Sequence, residues 1–240
     1  SNVVTITVIE ESLGGSILSD ANVCEGDNYD TLFLTGHLGD ILQWEFSDDG
    51  GFTWVPIINT DSIQVYNNLT VTTQYRAQVQ SFTCPPAYSS VATITVDQEP
   101  DAGILVENAS VCSGSNSDTL VLTGYFGNIV KWEINDGNGW QDIANTTDEQ
   151  PYSNISVTTS YRAIVANGAC PDDTSNIVTI SVIDSTQGGA IAGSDTVCAG
   201  MNNGTLTLSG HVGTVDHWES STDGGFTWFN ISNSDTFQVY

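Results

Sequence analysis

Short stretches in which apolar and polar residues alternate follow one another along the whole chain. In its first third they cover residues 31–35, 41–46, 52–57, 63–66, 74–80 and 91–96, all rich in Val, Ile, Thr and aromatic residues. Gly, Asn, Asp and Pro punctuate them, as they do between β-strands. A weaker run over 16–24 adds a seventh strand. No segment carries a 3.6-residue period. Side chains alternate across a strand, so Tyr75, Ala77 and Val79 share one face of their strand, while Arg76 and Gln78 share the other. The pattern predicts an all-β chain in which each strand turns one face to a core.

The same pattern recurs. Cys24, Cys112 and Cys198 stand 88 and 86 residues apart, and Trp44, Trp132 and Trp218 keep the same two intervals. Tyr75-Arg76-Ala77 returns as Tyr161-Arg162-Ala163, and Cys84-Pro85 as Cys170-Pro171. The repeat length is therefore about 87 residues. Seven short strands per repeat in a Cys…Trp…Cys order predict an immunoglobulin-like sandwich of two sheets, with repeats arranged end to end. The expected division is 1–10 as the last strand of a preceding repeat, 11–98 and 99–185 as complete repeats, and 186–240 as a truncated one. Residues 1–8 match 89–96, and Phe237-Gln238-Val239-Tyr240 matches a mid-repeat strand, so the chain reads as a window on a longer array.

Composition narrows the function. Asp and Glu total 29 against three Lys and Arg, a net charge of −26. A nucleic-acid partner is excluded, because phosphate neutralisation needs clustered cations. No apolar run approaches the length that crosses a bilayer, so membrane insertion is excluded too. Only 13% of residues are charged, and six Trp, eight Tyr and eight Phe supply ample apolar surface, which argues for a folded chain. His37, His211 and His217 form no repeated constellation, and Tyr125 occupies the place of His37 in the second repeat. No Ser/His/Asp, Cys/His or paired-carboxylate arrangement recurs, so the chain is not expected to be an enzyme.

The marked residues read as structural. Glu45 and Arg76 face outward on neighbouring strands, as do Glu133 and Arg162, which predicts two cross-strand ion pairs. Ser47-x-Asp49-x-Gly51-x-Thr53-Trp54 and Ser221-x-Asp223-x-Gly225-x-Thr227-Trp228 resemble the Asp-box, a β-hairpin signature. The cysteines lack the spacing of a zinc site. Pairing Cys24 with Cys84 and Cys112 with Cys170 gives two similar loops, with the partner of Cys198 beyond the chain end. One tension accompanies that pairing: the turn after the first strand and the turn before the last lie at opposite ends of a simple trace. The bridge requires the segment up to Cys24 to bend or split. Acidic residues gather where repeats join, at Glu10-Glu11, Asp97, Glu99, Asp101 and Asp184. Junction carboxylates can bind calcium, but their spacing differs from one linker to the next. Solvated linker charge is the expectation, with no cofactor and junctional calcium as the alternative.

One unit runs Val23-Cys24, Thr31-Leu32-x-Leu34-x-Gly36, Trp44-Glu45-x-Ser47-x-Asp49-Gly50-Gly51-x-Thr53-Trp54, Leu69-x-x-Thr72-Thr73-x-Tyr75-Arg76-Ala77, Cys84-Pro85 and Tyr88-Ser89-x-Val91-x-Thr93-Ile94-x-Val96. It resembles the immunoglobulin-like repeats of giant surface proteins in gliding Bacteroidota, the SprB-type gliding-motility adhesins exported by the type IX secretion system. The resemblance spans essentially the whole chain. It implies a structural and adhesive stalk in a cell-surface filament, outside the cell and attached at the outer membrane. Implied partners are the substratum or surface polysaccharide, and the motility and secretion machinery through other parts of the protein. It also implies candidate O-glycosylation at Asp-(Ser/Thr)-apolar tripeptides, on Thr31, Thr119, Ser62 and Thr196, although Asp-Thr is ordinary strand-start chemistry as well. The second reading is an array of carbohydrate-binding modules presenting aromatic residues to polysaccharide. The two differ in tryptophan exposure: a stalk buries Trp44 and packs Trp54, whereas a binder leaves a planar ring in solvent.

Overall fold

The computed structural model describes every residue except Ser1, Asn2, Ser19, Glu107 and Met201. The described residues are all strand, turn and loop. Repeat one contains β1 (Ser16–Ile17), β2 (Ala21–Cys24), β3 (Tyr29–Thr35), β4 (Asp40–Ser47), β5 (Val55–Ile57), β6 (Ile63–Asn67), β7 (Thr73–Gln80), β8 (Ala87–Tyr88) and β9 (Ala92–Asp97). One sheet runs β1-β3-β6; the other runs β2-β9-β7-β4-β5, with β8 paired to β7. Repeat two copies this order with β10 (Ile104–Leu105), β11 (Ala109–Cys112), β12 (Ser117–Thr123), β13 (Asn128–Asn135), β14 (Gln141–Ile143), β15 (Glu149–Ser153), β16 (Thr159–Ala166), β17 (Asp173–Thr174) and β18 (Val178–Ile183). The fold is a tandem immunoglobulin-like sandwich.

Alternation decides which face each strand buries. Along β7, Thr73, Tyr75, Ala77 and Val79 are buried and the residues between them are half-exposed. They meet Leu32 and Leu34 of β3, Trp44 of β4 and Ile94 of β9 in one core, and the counterparts Leu120, Leu122, Trp132, Tyr161 and Ile180 share the core of repeat two. Trp44 and Trp132 are fully enclosed. Each indole N–H also needs a partner in such a site, and donates to the carbonyl of Asp61 or Thr147 at 2.9 Å.

Three strand expectations change. The run 16–24 is two strands: β1 lies antiparallel to β3, whereas β2 lies parallel to β9 in the opposite sheet. The crossover is held at both sides, where Ile17 N–H donates to Ser90 Oγ (2.9 Å) and Thr93 N–H to Asp20 Oδ1 (2.8 Å). The run 52–57 is a strand only over Val55–Ile57, because Phe52, Thr53 and Trp54 belong to the preceding turn. Residues 3–10 form no strand, and among the described residues none pairs with them as a strand; residues 1 and 2 lie outside the described residues.

The third repeat holds β19 (Ala190–Ala192), β20 (Thr205–Ser209), β21 (Trp218–Ser220), β22 (Phe229–Ile231) and β23 (Phe237–Val239), with β19-β20-β23 in one sheet and β21-β22 as a hairpin. Lacking counterparts of β7 and β9, it buries Trp218 (6% exposed) and little else.

The split first strand fixes where the cysteines lie. β2 ends at Cys24 beside Asp97, the last residue of β9, so Cys24 occupies the pole where the chain leaves the repeat. β7 ends at Gln80, and the next residue donates its N–H to Ser12 Oγ at 2.9 Å, so Cys84 follows at the entry pole. The two cysteines of one repeat sit at opposite ends of it.

Candidate functional site at the repeat junction

The expected pairing within each repeat is not the one formed. Cys24 bonds Cys170 of the next repeat, with Cα atoms 4.6 Å apart across 146 residues of sequence. Cys84, Cys112 and Cys198 carry no disulfide among the described residues. The physical reason is the pole placement: splitting the first strand moves it to the other sheet without reversing it, so Cys24 still ends far from Cys84. The exit pole of one repeat meets the entry pole of the next, and there the first cysteine of one faces the second cysteine of the other.

Backbone and carboxylate contacts surround that bond. Ala169 N–H donates to Asp97 Oδ2 (2.8 Å), the Asn167 side-chain amide to the Gln98 carbonyl (2.8 Å), and Cys170 Sγ lies 3.3 Å from the Asp97 carbonyl. Gly168 adopts φ +55°, and a Cβ there would run into the Asp97 carboxylate. Glycine suits this position twice, adopting the left-handed backbone without strain and leaving room for the Asp97 carboxylate. Asp97, expected as solvated linker charge, instead holds the loop of the following repeat. Among the described residues no three acidic, His or Cys side chains form a cluster that could hold a metal ion.

Each first cysteine is presented by an asparagine that sequence reasoning passed over, buried in repeat one (Asn28), half-buried in repeat two (Asn116) and exposed in repeat three (Asn202). The Asn28 amide donates to the Cys24 carbonyl (2.8 Å) and the Leu69 carbonyl (2.9 Å), and its Oδ1 accepts the Leu69 N–H. Asn116 does the same for Cys112 and Ile155, and Asn202 reaches the Cys198 carbonyl at 3.0 Å. The signal was a Cys-x-x-x-Asn spacing present in all three repeats.

The outer face of the larger sheet carries a second cluster. In the β4–β7 register Glu45 lies opposite Arg76, whose Nε donates to Glu45 Oε2 at 2.7 Å. The guanidinium lies between two rings, 4.0 Å from the centroid of Trp54 and 4.0 Å from that of Tyr88. In repeat two Arg162 Nε reaches Glu133 at 2.6 Å and lies 4.2 Å over Trp140. Lys131 bridges Glu133 and Asp142 there, at 2.8 and 2.7 Å. The Lys131 hydrogen bond, opposed by partial burial and joined by Arg162, holds the Glu133 carboxyl below its usual range. In the third repeat, where no arginine stands over it, Trp228 is 57% exposed. His217 is drawn above its usual pKa, chiefly by a hydrogen bond to Asp216.

The Asp-box is a hairpin brace. Ser47 Oγ donates to Asp49 Oδ1 (2.7 Å) and accepts the Gly51 N–H (2.8 Å), while Thr53 N–H and Oγ donate to the two Asp49 oxygens at 2.9 and 2.6 Å. Hydrogen bonds from the Thr53 side chain and backbone, then Ser47, bring Asp49 down to about 2, and Asp223 sits equally low for the same reason. Of the candidate glycosylation positions, Thr119, Ser62 and Thr196 are exposed and Thr31 is half-buried. The Nδ1 atoms of His37 and His211 are enclosed and find no hydrogen-bond partner among the described residues.

Fold and junction together define a class: tandem immunoglobulin-like β-sandwiches joined pole to pole by a disulfide. More particularly, the chain belongs to the family described as Domain of unknown function (DUF8696), whose model matches three times, at residues 13–98, 101–184 and 187–240. No curated protein matches the sequence. Among solved structures it is similar to a chain in the crystal structure of the mouse coronavirus receptor-binding domain complexed with its murine receptor (14% identity, TM-score 0.49, covering 68% of this chain and 96% of that one). It is also similar to the N-terminal four Ig domains of Dscam1 isoform 7.44 (10%, TM-score 0.38, 75% and 48%) and to the FN1–FN3 domains of chicken CNTN1 (9%, TM-score 0.32, 95% and 87%). The chain thus spans about half the length of the Dscam1 fragment.

Proposed function

We propose that these repeats form the structural and adhesive stalk of a very large cell-surface filament, a gliding-motility adhesin of the SprB type exported by type IX secretion. The observation that carries this reading is the Cys24–Cys170 bond, which joins successive repeats rather than closing each one. A bond between modules serves continuity of the array, and structural disulfides persist outside the cytoplasm. The outer face supports the stalk over the polysaccharide-binding array. Arg76 occupies the face of Trp54 that a sugar ring would need, and Trp44 is wholly enclosed. Contact with the substratum, attachment to the motor, and glycans on Thr31, Thr119, Ser62 and Thr196 belong to the same proposal.

Antibodies raised against the repeats test it on intact, unpermeabilised cells. The expected result is surface labelling that travels along the moving cell, with adhesion blocked by the bound antibody. Labelling only after permeabilisation would overturn the proposal. Binding of the purified repeats to polysaccharide, abolished by Trp54→Ala, would favour the carbohydrate-binding array instead.

A further inference from the structure

We propose that the repeats are interlocked by a ladder of disulfides, in which each repeat's first cysteine bonds the second cysteine of the repeat that follows it. Cys24–Cys170 is one rung. Cys112 then takes the counterpart of Cys170 in a following repeat, and Cys84 takes the counterpart of Cys24 in a preceding one. The inference rests on the array reading given above, and its partner is another repeat of the same family.

Two sets of contacts lead to it. First, the cysteines without a bond are held as the bonded ones are. Asn116 and Asn202 grip the carbonyls of Cys112 and Cys198 as Asn28 grips that of Cys24. Ser113 N–H bonds the end of β18 as Glu25 N–H bonds the end of β9, so Cys112 stands exposed at the exit pole of its own repeat. Second, Cys84 already faces an incoming linker. Its Sγ lies 3.6 Å from the Glu10 carbonyl, as Cys170 Sγ lies 3.3 Å from the Asp97 carbonyl. The loop tips correspond as well: Phe82, at the place of Gly168, shares its left-handed backbone with φ 48°. Each repeat thus presents one thiol at each pole, and the geometry that closed one rung is present at both open ends.

Each rung forms by thiol–disulfide exchange with a disulfide-bearing oxidoreductase. One cysteine thiolate attacks the oxidoreductase disulfide to form a mixed disulfide, and the partner thiolate then attacks its array-side sulfur, forming the rung and releasing the oxidoreductase thiolate. Two electrons and the two thiol protons leave with the reduced dithiol.

The ladder changes what tension does. The loop closed by the Cys24–Cys170 rung takes in parts of two successive repeats, so the next rung begins at Cys112, inside it. Every position is then bypassed by at least one rung, and a single backbone cut anywhere leaves the array covalently whole. The shortest covalent path crosses a rung, walks the 28 residues from Cys170 to Cys198, and crosses another. Fully stretched, that walk gives roughly 100 Å for every two repeats, whereas one unlinked repeat unravels to roughly 300 Å. The array becomes nearly inextensible even when its domains unfold.

The cation-poor sequence supplies a direct test. Arg76, Lys131 and Arg162 are the only tryptic sites in these 240 residues, and all three lie between Cys24 and Cys170. Native protein, isolated with thiols blocked and never reduced, is digested with trypsin and the linked peptides sequenced. The expected result joins the peptide carrying Cys24 to that carrying Cys170, and joins peptide 77–131 to two further peptides, one through Cys84 and one through Cys112. Blocked thiols at Cys84 and Cys112, a bond between those two, or the pairs Cys24–Cys84 and Cys112–Cys170 would each overturn the ladder. Pulling the native array by atomic force microscopy reads the consequence: steps of roughly 300 Å should appear only after reduction, and their presence beforehand would contradict it. Neither readout depends on where the protein resides, so failure of the antibody test leaves the ladder standing or falling on its own.

Discussion

At the scale of single residues, Arg76 does three things at once. It neutralises the nearly enclosed Glu45 carboxylate, covers the Trp54 ring, and stacks on Tyr88. Removing it leaves a carboxylate that is 7% exposed with the Gln43 amide on one oxygen and no cation, and uncovers two aromatic faces. Arg76→Ala is therefore expected to destabilise repeat one by about 2 kcal/mol, from a lost partner to a mostly buried charge and lost cation–π contacts. Arg76→Lys should recover only part of this, because an ammonium cannot lie flat between rings. Chemical denaturation of both variants measures the difference; full recovery by lysine would show that charge alone matters. The ion pair was legible in the sequence, since a two-residue period and adjacent strands put Glu45 opposite Arg76. The stacked rings were not, because Trp54 reaches Arg76 only once the hairpin folds back and Tyr88 lies on the two-residue strand β8, too short to leave a pattern.

Among the elements, the β4–β5 hairpin depends on an ionised carboxylate. Asp49 is held at about 2 in the fold against an ordinary value of 3.8. A depressed pKa contributes stability above the unfolded value and loses it as pH falls through the folded one. The hairpin of repeat one should accordingly keep its full Asp49 contribution above pH 4 and shed it between about pH 4 and about pH 2. In Asp49→Asn the contribution is absent at every pH. Carboxyl titration by NMR, with the Thr53 amide as reporter, checks this: an Asp49 midpoint near 3.8 would refute the brace. In repeat two the Asp-box is replaced by a turn in which the neutral Asn135 Oδ1 accepts the Gly137 and Gly139 N–H groups and Asp136 Oδ1 accepts from Asn138. The hairpin was legible because its chemistry is local. The sequence required residues 16–24 to bend or split only as a condition of the Cys24–Cys84 pairing; the split itself was not legible, because the parallel pairing of β2 with β9 joins residues about 70 apart.

At the scale of the whole molecule, the cysteine positions alone could not choose between two pairings. Cys24 with Cys84 and Cys24 with Cys170 obey the same period, and only the placement of the poles separates them. The difference has measurable weight. Closing a loop of 146 residues restricts the unfolded chain by about 5 kcal/mol in the chain-entropy model, but the core of each repeat owes nothing to the bond, since neither cysteine packs within it. Cys24→Ser should therefore leave both repeats folded, with Trp44 and Trp132 still enclosed, while loosening the junction. Asp97, Gln98 and the 167–169 loop would remain as the contacts between the repeats, and exposed polar bonds of this kind are individually weak. Nitrogen relaxation by NMR should show repeats one and two tumbling together in the oxidised chain and more independently in Cys24→Ser. Gly168→Val, which drives a side chain into the Asp97 carboxylate, should loosen the junction further in the same background. If the serine variant tumbles as rigidly as the oxidised chain, the polar contacts alone fix the junction, and the disulfide serves only to keep the repeats attached once they are pulled apart.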